Sequence, residues 1–181
     1  DERVRAVGAG GRAGARAPLV ARVRRRDVGE GVGDRVLPSV DGRDGRLVVA
    51  CFGGDYEGSP DVCIWSSNLE KGQWRPAVKL ICGSTAGRTA VPCWNPVFFK
   101  PSDSNLYLYY KAGWSPREWH GMMIISKDQG QSWSSPVALK EIVGPAKNKP
   151  LVTHTGAWLF PSSRESTDRW QVFIELSADH G

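Results

Sequence analysis

The chain has 181 residues, enough for one ordinary domain core. Its formal net charge of +5 rests mostly on residues 1–35, where nine Arg meet five acids and no aromatic or Lys occurs, whereas all eight Trp, four Tyr and five Phe follow Cys51. The basic pI therefore implies no nucleic-acid partner, since the cationic stretch offers no ring to stack a base and no period that gathers its Arg on one face.

Residues 1–35 also carry seven Gly and read as a basic tail without ordered structure. A transit-type segment and a misassigned exon or reading frame are the other readings, and the folded region is taken as 36–181. No run of about 18 apolar residues occurs to span a membrane, and no n-region followed by an apolar h-region marks a secretory signal. The four Cys (51, 63, 82 and 93) include no closely spaced Cys pair of the zinc-binding kind. No metal site and no cofactor is expected. Buried thiols are the plain reading; Cys51 and Cys63, on neighbouring predicted strands, leave a disulfide open between them.

From residue 46 onward the apolar runs are short, rich in β-branched and aromatic residues, and bounded by Gly, Pro, Asp and Ser, which is strand punctuation. A first unit is expected to open near "VLPSV" and to run through "LVVACFGG", "DVCIWSS", a turn in "SNLEKGQW" and "AVKLIC". A second takes "NPVFF", "LYLYYKAG", "GMMIIS", the turn "SKDQGQSW" and "PVALK". A third repeats the order with "KPLVT", "AWLFPSS", "WQVFIELS" and "SADHG". Four antiparallel strands recurring about every 50 residues predict the blades of a β-propeller, an all-β fold.

Within the second unit, Ser126, Asp128, Gly130 and Trp133 predict a tight hairpin between third and fourth strands: the Asp accepts backbone N–H bonds, the Gly takes positive φ and the Trp packs on the blade. Ser177, Asp179 and Gly181 begin the same pattern, and "SNLEKGQW" keeps its Ser and Trp while Leu69 and Lys71 replace the Asp and Gly.

This Ser-x-Asp-x-Gly-x-x-Trp motif resembles the Asp-box, or bacterial neuraminidase repeat, of the sialidase superfamily. "FGGDYEGSPDVCIW", "PCWNPVFFK", "YYKAG" and "GPAKNKPL" are similar to the Asp-box repeat proteins of plants and bacteria. The resemblance covers about residues 36–181. It implies a six-bladed propeller of roughly 300 residues or more, of which this chain supplies about two and a half to three blades; a fragment or a truncated gene product is expected.

Because strands alternate in direction, the turns joining strands three and four lie on one face of such a disc, and the loops joining two to three, or blade to blade, lie on the other. The Asp-box residues are therefore expected to be structural. Loops 53–61, 83–95, 113–120, 144–150 and 163–169 gather carboxylates, cations and Trp residues on the opposite rim, a set that suits an acidic sugar or glycan. Cleaving a glycosidic bond needs a carboxylic acid for the leaving oxygen and a second group at the anomeric centre; a sugar carboxylate needs an Arg or Lys clamp. The resemblance implies an acid/base at Asp61, with Asp55 and Glu57 beside it. The Arg triad of the superfamily begins at an Arg-Ile-Pro motif; the nearest text here, "RVLP", sets Arg35 one residue out of place. Glu118 and His120 form a second acid–base candidate pair, which a lyase acting on a uronate could also use. Asn95, Lys147, Asn148 and Lys149, at the start of first strands, and Arg117 and Arg164 in the loops, are the candidate substrate-binding residues. A propeller that binds a glycan or a protein without catalysis is the third reading.

Overall fold

The computed structural model describes residues 39–43, 46–83, 90–101 and 105–178. The basic segment 1–35 with Arg35, residues 84–89 of the candidate loop 83–95, Asp179 and Gly181 lie outside the described residues. Among the described residues, twelve strands form three antiparallel sheets. The first contains β1 (Ser39–Arg43), β2 (Arg46–Gly53), β3 (Cys63–Glu70), β4 (Gln73–Trp74) and β5 (Val78–Ile81). The second contains β6 (Cys93–Phe99), β7 (Leu106–Ala112), β8 (His120–Ser126) and β9 (Val137–Ala138). The third contains β10 (Leu151–Val152), β11 (Trp158–Glu165) and β12 (Trp170–Ser177). Within each sheet the strands pair in chain order, except that β4 and β5 both lie on the free edge of β3. Each sheet is thus a blade, and no helix occurs among the described residues.

The double occupancy of the β3 edge has a local cause. Lys71 and Gly72 both take positive φ (50° and 78°), closing a two-residue hairpin between the paired Glu70 and Gln73. The "SNLEKGQW" segment, expected only as a turn, therefore also supplies a short strand, and Pro76, with no N–H to donate, separates it from β5. The runs "PVALK" and "KPLVT" shrink to two paired residues each, Val137–Ala138 and Leu151–Val152.

Alternation along the strands divides the apolar residues between two blade junctions. Val48, Ala50 and Ile64 of the first sheet bury against Cys93, Phe98, Leu106, Leu108, Tyr110 and Ile124 of the second. The other face of the second sheet, through Val97, Phe99 and Tyr109, meets Trp158 and Phe160 of the third, with ring contacts such as Phe99–Trp158 at 5.1 Å between centroids. Burial is worth about 1.5–3 kcal/mol per large apolar side chain, so the junctions hold the sheets in order.

The disulfide is Cys63–Cys82, with Cα atoms 4.4 Å apart, and Cys51 and Cys93 are buried free thiols. The pairing considered between Cys51 and Cys63 is corrected by register. Cys51 stands opposite Trp65, and Cys63 opposite Gly53, so the two Cys are diagonal neighbours across β2 and β3. Cys82 follows directly after Ile81, the partner of Ile64, and so comes level with Cys63 at the close spacing of a non-hydrogen-bonded antiparallel pair.

Candidate functional site

Three chain segments meet at the end of the first two sheets where β2 passes to β3 and β7 to β8. The segment entering β6 joins them: Cys93 N donates to Val62 O at 2.8 Å, Gly113 N donates to Pro92 O at 3.0 Å, and the Trp94 indole N–H donates to Gly113 O at 2.8 Å. Trp94 also packs edge-on against Phe52 at 5.4 Å and tilted against Trp119 at 6.2 Å between centroids. Two candidate loops thus become one rim.

The loop between β2 and β3 folds around Asp61. Its carboxylate accepts the Asp55 N–H at 3.0 Å and the Ser59 hydroxyl, while Ser59 N donates to Tyr56 O and Val62 N to Ser59 O, each at 3.1 Å. Asp55, Glu57 and Asp61 are all exposed. The Ser59 hydroxyl, more than the backbone donor, holds the Asp61 carboxyl below its usual range, because these bonds require the anion. Among the described residues, the Asp61 carboxylate bonds only within its own loop.

The loop between β7 and β8 doubles back on Gly113, whose φ of 147° and missing Cβ admit Glu118 O; a Cβ there would lie 2.7 Å from that oxygen. Glu118 N donates to Ser115 O at 2.9 Å. Arg117 and Glu118 stand exposed on this loop, and His120, also exposed, opens β8 opposite Ala112. The indole N–H of Trp119 is buried and has no acceptor among the described residues.

Asn95 differs from its expected place at a strand entrance. It lies inside β6, 6% exposed, with φ 47°, where the β6–β7 register breaks between Trp94 and Val97. The remaining binding candidates belong to the next junction. Lys147, Asn148 and Lys149 are exposed on the crossover from the second sheet to the third, where Lys147 takes φ 69° and Asn148 N donates to Ala146 O at 2.8 Å. Lys149 borders a groove of about 330 Å³ between the inner strands β6 and β10. Arg164 is exposed near the end of β11, opposite Gln171.

At the far end of the second sheet, Asp128 Oδ1 accepts the Ser126 hydroxyl (2.8 Å) and the N–H groups of Gln131 (3.0 Å) and Ser132 (2.8 Å), while Oδ2 accepts the Ser132 hydroxyl. Gly130, at φ 89°, donates its N–H to Ser126 Oγ at 2.7 Å, and Trp133 stacks on Phe98. Ser177, at the end of β12, is buried.

A buried polar cluster at the second junction has no counterpart among the expected site residues. Lys111, 2% exposed, donates to the carbonyls of Val143 and Gly144, and Glu175 accepts the N–H groups of the same two residues. Strand parity is the signal that could have found it: Lys111 continues the Tyr107, Tyr109 face of β7, and Glu175 the Phe173 face of β12. No group of three or more His, Cys, Asp or Glu able to hold a metal ion occurs among the described residues.

Residues 45–181 match the family of BNR repeat-like domains. No curated protein matches the chain in sequence. A Hadza microbial sialidase superposes with a TM-score of 0.64 at 16% identity, over 80% of this chain and 35% of that one. A protein of unknown function from Dyadobacter fermentans gives 0.60 at 15% identity, over 85% and 55%. Trypanosoma rangeli sialidase in complex with sialic acid gives 0.59 at 15% identity, over 79% and 28%. At these identities the likeness establishes the fold, and the chain spans 35% and 28% of the length of the two sialidases.

Proposed function

The chain belongs to the BNR repeat-like family within the sialidase superfamily, and from that membership we propose that it is part of an exo-acting glycoside hydrolase taking an acidic sugar. The observation that carries this reading is the joining of two carboxylate-bearing loops into one rim through the Val62–Cys93 and Pro92–Gly113 bonds. Asp61 is the proposed general acid, with Asp55 and Glu57 as neighbours that can relay or replace it, and Glu118 and His120 stand along the same edge. Arg117, Lys147, Lys149 and Arg164 are the proposed cations for the sugar carboxylate, Asn95 and Asn148 proposed hydrogen-bonding groups, and Trp94 and Trp119 the apolar support. That the Trypanosoma rangeli sialidase is found with sialic acid makes a nonulosonic acid the first sugar to try.

In the free protein Asp61 is held as the anion, the wrong form for a general acid. A substrate closing over the loop would desolvate the carboxylate, and that raises a carboxyl pKa. The bracing of Asp61 inside its own loop favours a second reading, in which the propeller binds the glycan and does no chemistry.

The test is Asp61→Asn in the complete protein, with a fluorogenic α-sialoside and a fluorogenic β-glucuronide as probes. Turnover by the parent protein, lost about 10²–10⁴-fold in the variant with affinity kept, supports the hydrolase. Tight binding without turnover by the parent favours the binding reading, and equal turnover by both proteins removes Asp61 from the role. If His120→Ala rather than Asp61→Asn stops turnover of a uronate polymer, the chemistry is that of a lyase.

A further inference from the structure

The dipeptide Val143–Gly144 crosses from the second sheet to the third without belonging to any strand, yet all four of its backbone polar groups are engaged by buried or half-buried side chains. Lys111 Nζ, from β7, donates to Val143 O and, at 2.8 Å, to Gly144 O. Glu175, from β12, accepts Val143 N–H at 2.7 Å on Oε1 and Gly144 N–H at 2.9 Å on Oε2. Ser162, from β11, donates to the same Glu175 oxygen and lies 3.1 Å from Gly144 O. Cation and carboxylate thus face each other through two peptide groups, each satisfying what the other cannot: the Lys has only donors and the ionised Glu only acceptors.

The crossover packs closely against β8 here. Gly144 sits at φ 79°, and a Cβ on it would lie 2.5 Å from Leu139 Cδ1; beneath it, a Cβ on Gly121 would lie 2.4 Å from Val143 O. Three residues beyond this fixed dipeptide come Lys147, Asn148 and Lys149, exposed on the rim. A segment so exposed has little packing of its own to orient it, so its direction is set where it leaves the junction.

We propose that Lys111 and Glu175 are positioning residues for rim segment 146–149, gripping its first peptides from the two sheets it connects. Buried peptide groups deprived of these partners would have to find water, and the crossover would lift from β8 to reach it. Burial draws the Lys111 ammonium down to about 8, and the Glu175 carboxylate works against that shift, as expected of a cation placed inside the protein for its hydrogen bonds. The consequence for substrate, that Lys147 and Lys149 meet a sugar carboxylate in a fixed orientation, rests on the hydrolase reading; the grip itself does not.

Amide hydrogen exchange on the full chain, without any ligand, tests the grip. In the parent protein the amides of Val143 and Gly144, although outside any strand, should exchange at least 100-fold more slowly than those of residues 146–149; equal rates overturn the proposal. Lys111→Met and Glu175→Gln should each speed exchange at 143–149 by 10-fold or more while leaving β6–β8 unchanged, and Lys111→Arg should restore part of the protection. A uniform rise through all three sheets, or no local rise, would mean these residues serve stability alone. If the parent protein turns over an acidic sugar, Lys111→Met should raise KM several-fold with kcat nearly kept, because it disturbs a binding segment and not the reacting groups; a fall in kcat alone would overturn the positioning role. Absence of turnover in the parent protein would count against the hydrolase reading, and the exchange result would still decide the grip.

Discussion

Trp133 lies stacked on Phe98, ring centroids 6.1 Å apart and planes 19° from parallel. The turn after β8 therefore folds back across its own blade onto the innermost strand, and its last residue joins the cluster that holds the first two sheets together. Trp133→Ala should cost about 2–4 kcal/mol of stability, read as a lowered urea midpoint. If the protein binds a glycan, that binding should be unaffected, since this turn and the candidate rim lie at opposite ends of the blade. Loss of binding in a variant that remains folded would contradict that separation.

Asp128 should make the fold acid-sensitive. The Ser132 hydroxyl, then the Ser132 N–H and the Ser126 hydroxyl, hold its carboxyl down at about 2, against an ordinary 3.8. A depressed folded pKa gives stability that is present above pH 3.8 and lost as pH falls through 2. In acid unfolding monitored by Trp fluorescence, Asp128→Ala should lower stability at pH 7 and narrow its gap to the parent protein below pH 3. A gap that stays constant with pH would show that the carboxylate's charge is not what the turn uses.

Cys63–Cys82 closes a loop across a sequence separation of 19 residues, at the base of the loop carrying Asp61. Cys82→Ser should cost about 3 kcal/mol through the greater freedom of the unfolded chain. Thiol titration of the unfolded, unreduced protein should count two thiols, from Cys51 and Cys93, and four after reduction. Four thiols without reduction would refute the pairing.

Alkali should destabilise the protein through its buried thiols. Burial pushes the Cys51 thiol up from 9.0 to about 11 and the Cys93 thiol to about 12. A raised folded pKa gives stability that is complete below pH 9 and lost as pH rises through 11 and 12, by about 3 kcal/mol for Cys51 and about 4 kcal/mol for Cys93. Lys111 acts in the opposite sense between pH 8 and 10.5, but one lysine does not offset two thiols. Urea titrations from pH 9 to 11 should show the decline, and Cys93→Ala should make it shallower; an unchanged slope would mean that water reaches the thiols.

The strands, their order and the blade repeat were legible in the sequence because they follow from local chemistry. Short β-branched runs, Gly at positive φ, and an Asp within reach of its own turn's N–H groups need no distant partner. The sequence also marked which loops share an end, since strand direction alternates by necessity. What tertiary structure alone decided was how strands register within a blade and how the blades meet. Register brought Cys63 level with Cys82 and left Cys51 diagonal; a break in the β6–β7 ladder drew Asn95 inside; and the junction of two sheets turned Lys111 and Glu175, unremarkable in "YYKAG" and "WQVFIELS", into the two sides of a grip on one dipeptide. Side-chain parity along a strand is a local property, but which neighbour each face meets is fixed only when the sheets pack.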